Sequence, residues 1–471
     1  MERVATVSQP MAPRALAGVT QTETPFVTGL LLAYVFLLIS RLFEFAALYG
    51  AGNLYLMLVT STVGVVVAVM SGGLFRIFRS APAKLLMAFT FWLMMATVTS
   101  SWHAGSIGTL KDMWVRSVLA FLVVAGLIST YQQFRKAVFA AAWGGLTAAV
   151  LLYLAGGISN GRFALDTGTF SNANEVAYHL LFIFPLCGFV FLESGKLSKL
   201  LILGMTVPAL LVILRTGSRG GLIIIAAQLI MILFRVSMAN KVKVLAAGFV
   251  VAILLVTMVG GSALDRYKTL TSDADASAEY DSAKDSAQAR FIHLKQSLEL
   301  TAIHPLFGVG PGVFKAASAE LSSSEGTHQM WAETHNAYTQ VSSECGVPGL
   351  ILFVSVLFSG WRILTRAQRL AKKTGDPSLG NLAFCLKLTL VAFIINGFFT
   401  SDAYEYYLPL AAAFTVAMDM TLPWSALAMP VPAAPRRAPA RSLRPGGHPS
   451  RPLAPRAGDP DRYPVRKRAV Y

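Results

Sequence analysis

About twelve apolar runs divide this chain, each close to the roughly 20 residues that a helix needs to cross a bilayer core about 30 Å thick. No other feature restricts the fold so strongly, because only helices and closed barrels satisfy their backbone polar groups in lipid. The runs are Phe26–Ala46, Leu54–Gly72, Lys84–Ser101, Met113–Thr130, Ala137–Gly156, Val176–Leu192, Leu197–Leu214, Gly220–Phe234, Val242–Gly260, Gly349–Thr365, Leu382–Thr400 and Tyr407–Leu422. Of 471 residues, 55% are hydrophobic and 14% charged. A soluble chain could not cover so much apolar surface with so few charges. The expected fold is an all-α polytopic membrane protein with about twelve transmembrane helices.

The net charge of +16 suggests nucleic acid at first, but its placement excludes that partner. One alternate set of short loops carries fifteen cations: Arg76, Arg79, Lys84, Arg135, Lys136, Lys196, Lys199, Arg235, Lys241, Lys243, Arg362, Arg366, Arg369, Lys372 and Lys373. The other set carries six: Arg41, Lys111, Arg116, Arg162, Arg215 and Arg219. By the positive-inside rule the richer set is cytoplasmic, and an even number of spans puts both termini inside. The expected divisions are a cytoplasmic segment 1–25, helices one to nine over 26–261, a large loop 262–348 outside, helices ten to twelve over 349–422, and a basic, Pro-rich tail 423–471. That tail is expected to be disordered and solvated, serving to fix topology, although it could touch anionic lipid heads. The first apolar run is one of many, so it is expected to be a first transmembrane helix and not a cleaved signal peptide. Cys187, Cys345 and Cys385 are odd in number and form no disulfide framework or zinc motif.

The long loop is the only extended polar interval. It contains a charged run, Asp265 to Asp285, then a segment opening with Arg290 in which Phe291, Leu294, Leu298 and Ala302 recur at helical spacing. It goes on through His304-Pro305-Leu306-Phe307-Gly308-Val309-Gly310-Pro311-Gly312 to Glu333-Thr334-His335-Asn336-Ala337-Tyr338. Such a loop on one face is expected to cap an active site.

Taken in order, Phe170-Ser171-Asn172-Ala173-Asn174-Glu175, Thr216-Gly217-Ser218-Arg219-Gly220, Arg290 with His304 to Gly310, and His335 to Tyr338 followed by Gly346-Val347-Pro348-Gly349 resemble the bacterial O-antigen ligase and polysaccharide polymerase superfamily. The resemblance covers roughly residues 160 to 354. It implies a glycosyltransferase of the bacterial inner membrane, with its active site facing the periplasm. The donor would be a glycan on undecaprenyl diphosphate, transferred with inversion and without a metal or other cofactor. A flippase and a chain-length co-polymerase are the partners it implies. Ligases pass the glycan to lipid A–core, and polymerases pass it to another lipid-linked repeat. The residues leave that choice open, and the polymerase is taken as the first reading.

Breaking a sugar–diphosphate bond needs cations for the leaving group and a base for the acceptor hydroxyl. A guanidinium stays charged and grips phosphate oxygens in a fork. Arg219 and Arg290 are the first candidates, followed by Arg215 and Arg162; the plain alternative is that the helix-end arginines snorkel to head groups. His335 is the candidate base, because a neutral imidazole accepts a proton at working pH, an effect of about 10²–10⁴ in rate. Asn336 and Tyr338 are candidates for orienting the acceptor or the ring. His304, ahead of Pro305, is expected to shape a turn. Gly308, Gly310 and Gly312 lack the context of a P-loop and are expected to form a bend, although their N–H groups could touch diphosphate. Asp273 and Asp275 form an Asp-x-Asp pair in a run expected to be solvated. His328, Glu333 and His335 match no strong zinc pattern, so no metal site is expected. The rival classes are a transporter or flippase, whose paired halves are not evident, a protein O-oligosaccharyltransferase, and a non-catalytic scaffold.

Overall fold

The computed structural model describes residues 24–50, 55–159, 162–165, 168–258, 278–324 and 332–427. They fall within one unit, 1–429; a second, 430–471, lies outside them. The expected tail, the N-terminal segment as far as residue 23, Asp273, Asp275 and His328 are likewise outside the described residues.

A helix stands at each of the twelve expected positions. The first is α1 (Pro25–Ser40), which breaks at Arg41 and continues as α2 (Leu42–Leu48) after a 54° bend. There follow α3 (Leu56–Met70), the short α4 (Gly73–Ile77), α5 (Ala81–Val98), α6 (His103–Thr109), a π-helical turn, α7 (Val115–Leu127) and α8 (Tyr131–Ala155). A two-stranded antiparallel hairpin interrupts the all-α pattern: β1 (Gly157–Ser159) pairs with β2 (Arg162–Ala164) in the register Ile158 to Phe163. Next are α9 (Ala173–Glu193), α10 (Lys196–Arg215), α11 (Arg219–Arg235) and α12 (Met238–Met258). The polar interval holds α13 (Ala278–Ile303) and α14 (Phe314–Ser324); the chain then completes the bundle with α15 (Ala337–Thr374), α16 (Pro377–Asn396) and α17 (Tyr407–Thr421).

By length and composition α5, α8, α9, α10, α15 and α16 can cross a membrane, and the bent pair α1–α2 makes a seventh span if counted as one. The protein is an all-α polytopic membrane protein apart from the small hairpin. Leu58 and Val66 on α3, Leu200 and Leu203 on α10, and Ile351 and Phe358 on α15 point outward, as lipid-facing positions do in a bundle whose solvent is apolar.

Sequence explains where several helices start. Thr130, Asn172, Ser218, Asn336 and Asp376 each accept a hydrogen bond from a backbone N–H of the first turn of α8, α9, α11, α15 and α16, which satisfies donors that a helix start leaves open. Gly375 closes α15 in a left-handed conformation, and Asp376-Pro377 restarts the chain.

The central helices pack through aromatic side chains. Phe89 meets the Trp114 ring edge-on at 5.2 Å and Phe353 at 5.7 Å. The cations of the richer loop set gather at one end of the bundle. There Arg135 pairs with Glu193 at 2.6 Å, Ser378 donates to the same carboxylate, and Arg235 donates to Asn381. Arg366 lies over the Trp424 ring, and Lys373 donates to the Leu427 carbonyl. The hairpin, the α10–α11 turn and the start of α15 lie at the opposite end.

Candidate active site

At that opposite end several of the described loops converge. The turn between α10 and α11 is tight, with Gly217 in the left-handed region. Arg162 bolts the hairpin to it: Nε donates to the Thr216 carbonyl at 3.0 Å, and Nη2 donates to Asn174 Oδ1 at 2.6 Å. Two donors of the fork expected to face diphosphate are thus engaged with the protein. Arg215 stacks over the Tyr153 ring at 5.8 Å, as a helix-end arginine does. Arg219 is half-buried as the first residue of α11. The next residue, Gly220, lies against the Phe399 ring, so the arginine turn abuts the connection between α16 and α17.

That connection, Gly397 to Tyr406, holds none of the site residues expected from the sequence, which assigns Gly397–Thr400 to an apolar run. Asp402 is buried in it, and its Oδ2 accepts from Asn396 Nδ2 and Thr400 Oγ1, each at 2.8 Å. Burial pushes the Asp402 carboxyl up to about 7, and the neighbouring Glu405 adds to the shift. Glu405 is itself raised by burial, against the pull of Arg41. Arg41 is buried, pairs with Glu44 at 3.0 Å and covers the Tyr406 ring at 4.3 Å. Glu44 in turn accepts from the backbone and hydroxyl of Thr169, which ties the stretch before α9 to the α1–α2 bend. Glu175, at the start of α9, lies within electrostatic range of Asp402, Glu405, Glu333 and Arg41.

The α16–α17 connection also anchors His335, which lies just before α15. The His335 N–H donates to Ser401 Oγ at 2.9 Å, and Thr334 Oγ1 bonds the same hydroxyl at 3.0 Å. Two residues on, the Ala337 N–H donates to the Gly397 carbonyl at 2.7 Å. His335 has φ 53°, a conformation uncommon outside glycine and often associated with functional sites. Burial lowers its pKa from the usual value; Arg290, His293 and Lys315 lower it further, and Glu333 opposes them. The His293 ring is 6.3 Å from the His335 ring, and Lys315 Nζ meets Glu333 Oε1 at 2.7 Å. The structure therefore brings Arg290 and His335, two candidates 45 positions apart, into one charged cluster. Among the described residues, no three His, Cys, Asp or Glu side chains group to hold a metal.

Asn336 and Tyr338 fasten α15. Asn336 Oδ1 accepts from the Tyr338 and Thr339 N–H groups, and the Tyr338 hydroxyl donates to the Ile394 carbonyl at 2.8 Å. The glycine segment is a bend docked on the kink of α15. Val309 N–H and Gly310 N–H donate to Ser343 and Glu344 carbonyls, and Val347 N–H donates to the Pro305 carbonyl. Gly308 N–H turns back to the His304 carbonyl. The N–H groups of Gly308 and Gly310 are thus spent inside the protein and not on diphosphate. Gly346 breaks α15 with φ 70°, where a Cβ would overlap the Leu306 carbonyl.

Two expectations for the loop need correction. Arg290 does not open a helix; it lies inside α13, which starts at Ala278 within the run read as polar loop. Of the stripe, Phe291, Leu298 and Ala302 also face outward and Leu294 is half-buried, while His293, Gln296, Ser297 and Leu300 face inward. Periodicity reports a stripe but not what covers it. His293 and Asp402 carried little sequence signal: one is a lone histidine on a helix, the other a lone aspartate between apolar runs.

No curated protein matches the chain. Residues 204–354 match the model of a family described as O-antigen ligase. The matched stretch contains the Arg219 turn, Arg290, the glycine bend and His335. That match spans the motifs that carry the resemblance, so over residues 204–354 the chain is similar to the O-antigen ligase family.

Proposed function

We propose that this protein is a glycosyltransferase that moves a glycan from undecaprenyl diphosphate to an acceptor hydroxyl at the periplasmic face of the bacterial inner membrane. On this reading the chain crosses twelve times, with residues 262–348 outside. The observation that carries it is the gathering of Arg290, His293 and Glu333 around a half-buried His335 that is anchored to Ser401.

His335 accepts the proton of the acceptor hydroxyl. The acceptor oxygen forms the new glycosidic bond from the face opposite the diphosphate, the C1–O bond to phosphate breaks, and the anomeric carbon inverts. The leaving undecaprenyl diphosphate keeps the electron pair, and Arg219 and Arg290 meet its charge. Charge placed where it develops in the transition state is commonly the largest catalytic effect. Asn336 and Tyr338 contribute by fixing the first turn of α15, and Arg162 and Arg215 by holding the arginine turn.

The acceptor is read as a second lipid-linked repeat, which makes the enzyme a polymerase of a surface polysaccharide. A ligase acting on lipid A–core is the second reading, favoured by the description of the matched family. Deleting the gene and sizing the glycans separates them. Short repeats left on their acceptor indicate a polymerase. Long chains left on undecaprenyl diphosphate indicate a ligase. An unchanged profile rejects both.

A further inference from the structure

Helix α13 wears its apolar stripe on the outside. Phe291 is 68% exposed and Leu298 54%, with Ala302 exposed between the turns that follow. The opposite face is buried although it is largely polar. Gln296 Nε2 donates to Ser322 Oγ at 2.7 Å, Thr301 Oγ1 bonds Ser342 Oγ at 2.8 Å, and His293 lies against Phe314 at 6.3 Å. A helix in water packs the other way round, since each buried Å² of apolar surface is worth about 25 cal/mol.

The stripe does not stop at the helix end. Ile303 and Leu306, 54% and 53% exposed, extend it into the bend. The hydrogen bond from Val347 N–H to the Pro305 carbonyl, 2.8 Å, joins that bend to α15. Val347, Ile351, Val354 and Phe358 then continue the exposed apolar surface down α15 at spacings of four, three and four. Since α15 is long and apolar enough to cross a membrane, its outward face meets lipid. A series of exposed apolar side chains therefore leads from a lipid-facing helix onto α13. Lys295, exposed at the edge of the stripe, has the length to reach lipid phosphates from there.

We propose that α13 is an interfacial helix, seated in the headgroup boundary of the bilayer on its Phe291–Leu298–Ala302 face. Amphipathic helices bind there by burying an apolar face about 5–10 Å into the headgroup boundary. The occupant of this face is the bilayer itself. The inference needs only the membrane character of the chain. If the transfer reading also holds, the docking sets Arg290 at the depth of lipid phosphates.

The test uses the full chain in nanodiscs. Phe291→Cys, Leu298→Cys and, as an aqueous control on α14, Glu320→Cys carry an environment-sensitive fluorophore; the three native cysteines are buried, and the labelled wild type serves as blank. A nitroxide on the lipid acyl chain is expected to quench positions 291 and 298 several-fold more than position 320, with aqueous iodide giving the reverse order. Iodide quenching at 291 and 298 overturns the proposal, and so does shielding from both quenchers, which would mean that protein covers the face. A second measurement needs no substitution: an acyl-chain photolabel on the wild-type chain should mark 288–303 as well as 347–358. Label confined to 347–358 would also overturn it. Neither readout depends on glycan transfer, so loss of activity in a separate assay leaves this result standing.

Discussion

The backbone N–H of His335 donates to the hydroxyl of Ser401 over 2.9 Å, although 66 residues separate them. The histidine of one loop is thus held by the connection between α16 and α17. Ser401 also bonds Thr334 Oγ1 at 3.0 Å, so one hydroxyl holds the N-terminal side of the left-handed residue. Replacing Ser401 by Ala removes two neutral hydrogen bonds, each worth about 1 kcal/mol. The expected result is a folded enzyme with kcat lower by up to about thirtyfold, since 1.36 kcal/mol is a factor of ten, and with KM for the lipid-linked donor little changed. Steady-state kinetics in nanodiscs checks this; an unchanged kcat removes Ser401 from the site.

As a base, His335 works only when neutral. Burial and Arg290 hold its pKa below the usual 6.5, so the acidic limb of the rate profile should lie below pH 6.5 and activity should be full at pH 7. Glu333 pulls the pKa the other way. Glu333→Gln should therefore move the limb to lower pH. His335→Gln should lose most turnover, about 10²-fold or more, while donor binding persists. A near wild-type rate for His335→Gln, with the same pH profile, would show that His335 is not the base.

Arg219→Ala and Arg290→Ala should abolish transfer at normal protein levels, with Lys restoring part, because a point charge keeps attraction but loses the fork. Arg162 should behave differently. Its bonds to Thr216 and Asn174 position the arginine turn, so Arg162→Lys should raise donor KM and leave the pH profile where it was. A shift of that profile would argue for direct contact with the reacting groups.

Gly346→Ala should lower the yield of folded protein sharply. Its backbone region alone costs a side chain about 1–3 kcal/mol, and the Cβ would overlap the Leu306 carbonyl. Gly375 has φ 68° with nothing within 4 Å of a built Cβ; Gly375→Ala should cost about 1 kcal/mol. Thermal unfolding in detergent compares the two, and equal losses would refute the packing account of the kink.

Fusions of a reporter active only in the periplasm should report at Ser286 and stay silent at Lys372. The basis is the segregation of fifteen cations against six in alternate loops. The reverse pattern would invert the topology and put His335 on the cytoplasmic side.

The sequence by itself determined the class of fold and the loop to examine. Apolar runs of membrane length need no tertiary information to be read, because the bilayer imposes their length and the backbone imposes the helix. The order of Arg219, Arg290 and His335 along the chain was legible for the same local reason: Arg219 sits in a short break between apolar runs, and Arg290 and His335 in the one extended polar interval. Tertiary structure alone decided which of these meet and what holds them. Arg290 comes near His335 because α13 docks its polar side on the start of α15, a choice that periodicity cannot express. Ser401 and Asp402 enter the site because α16 ends beside α15, where Gly397 receives the Ala337 N–H. Hydrogen bonds between residues 60 or more positions apart leave no pattern in a single chain. They arise only after packing has removed water from the groups that must then satisfy one another.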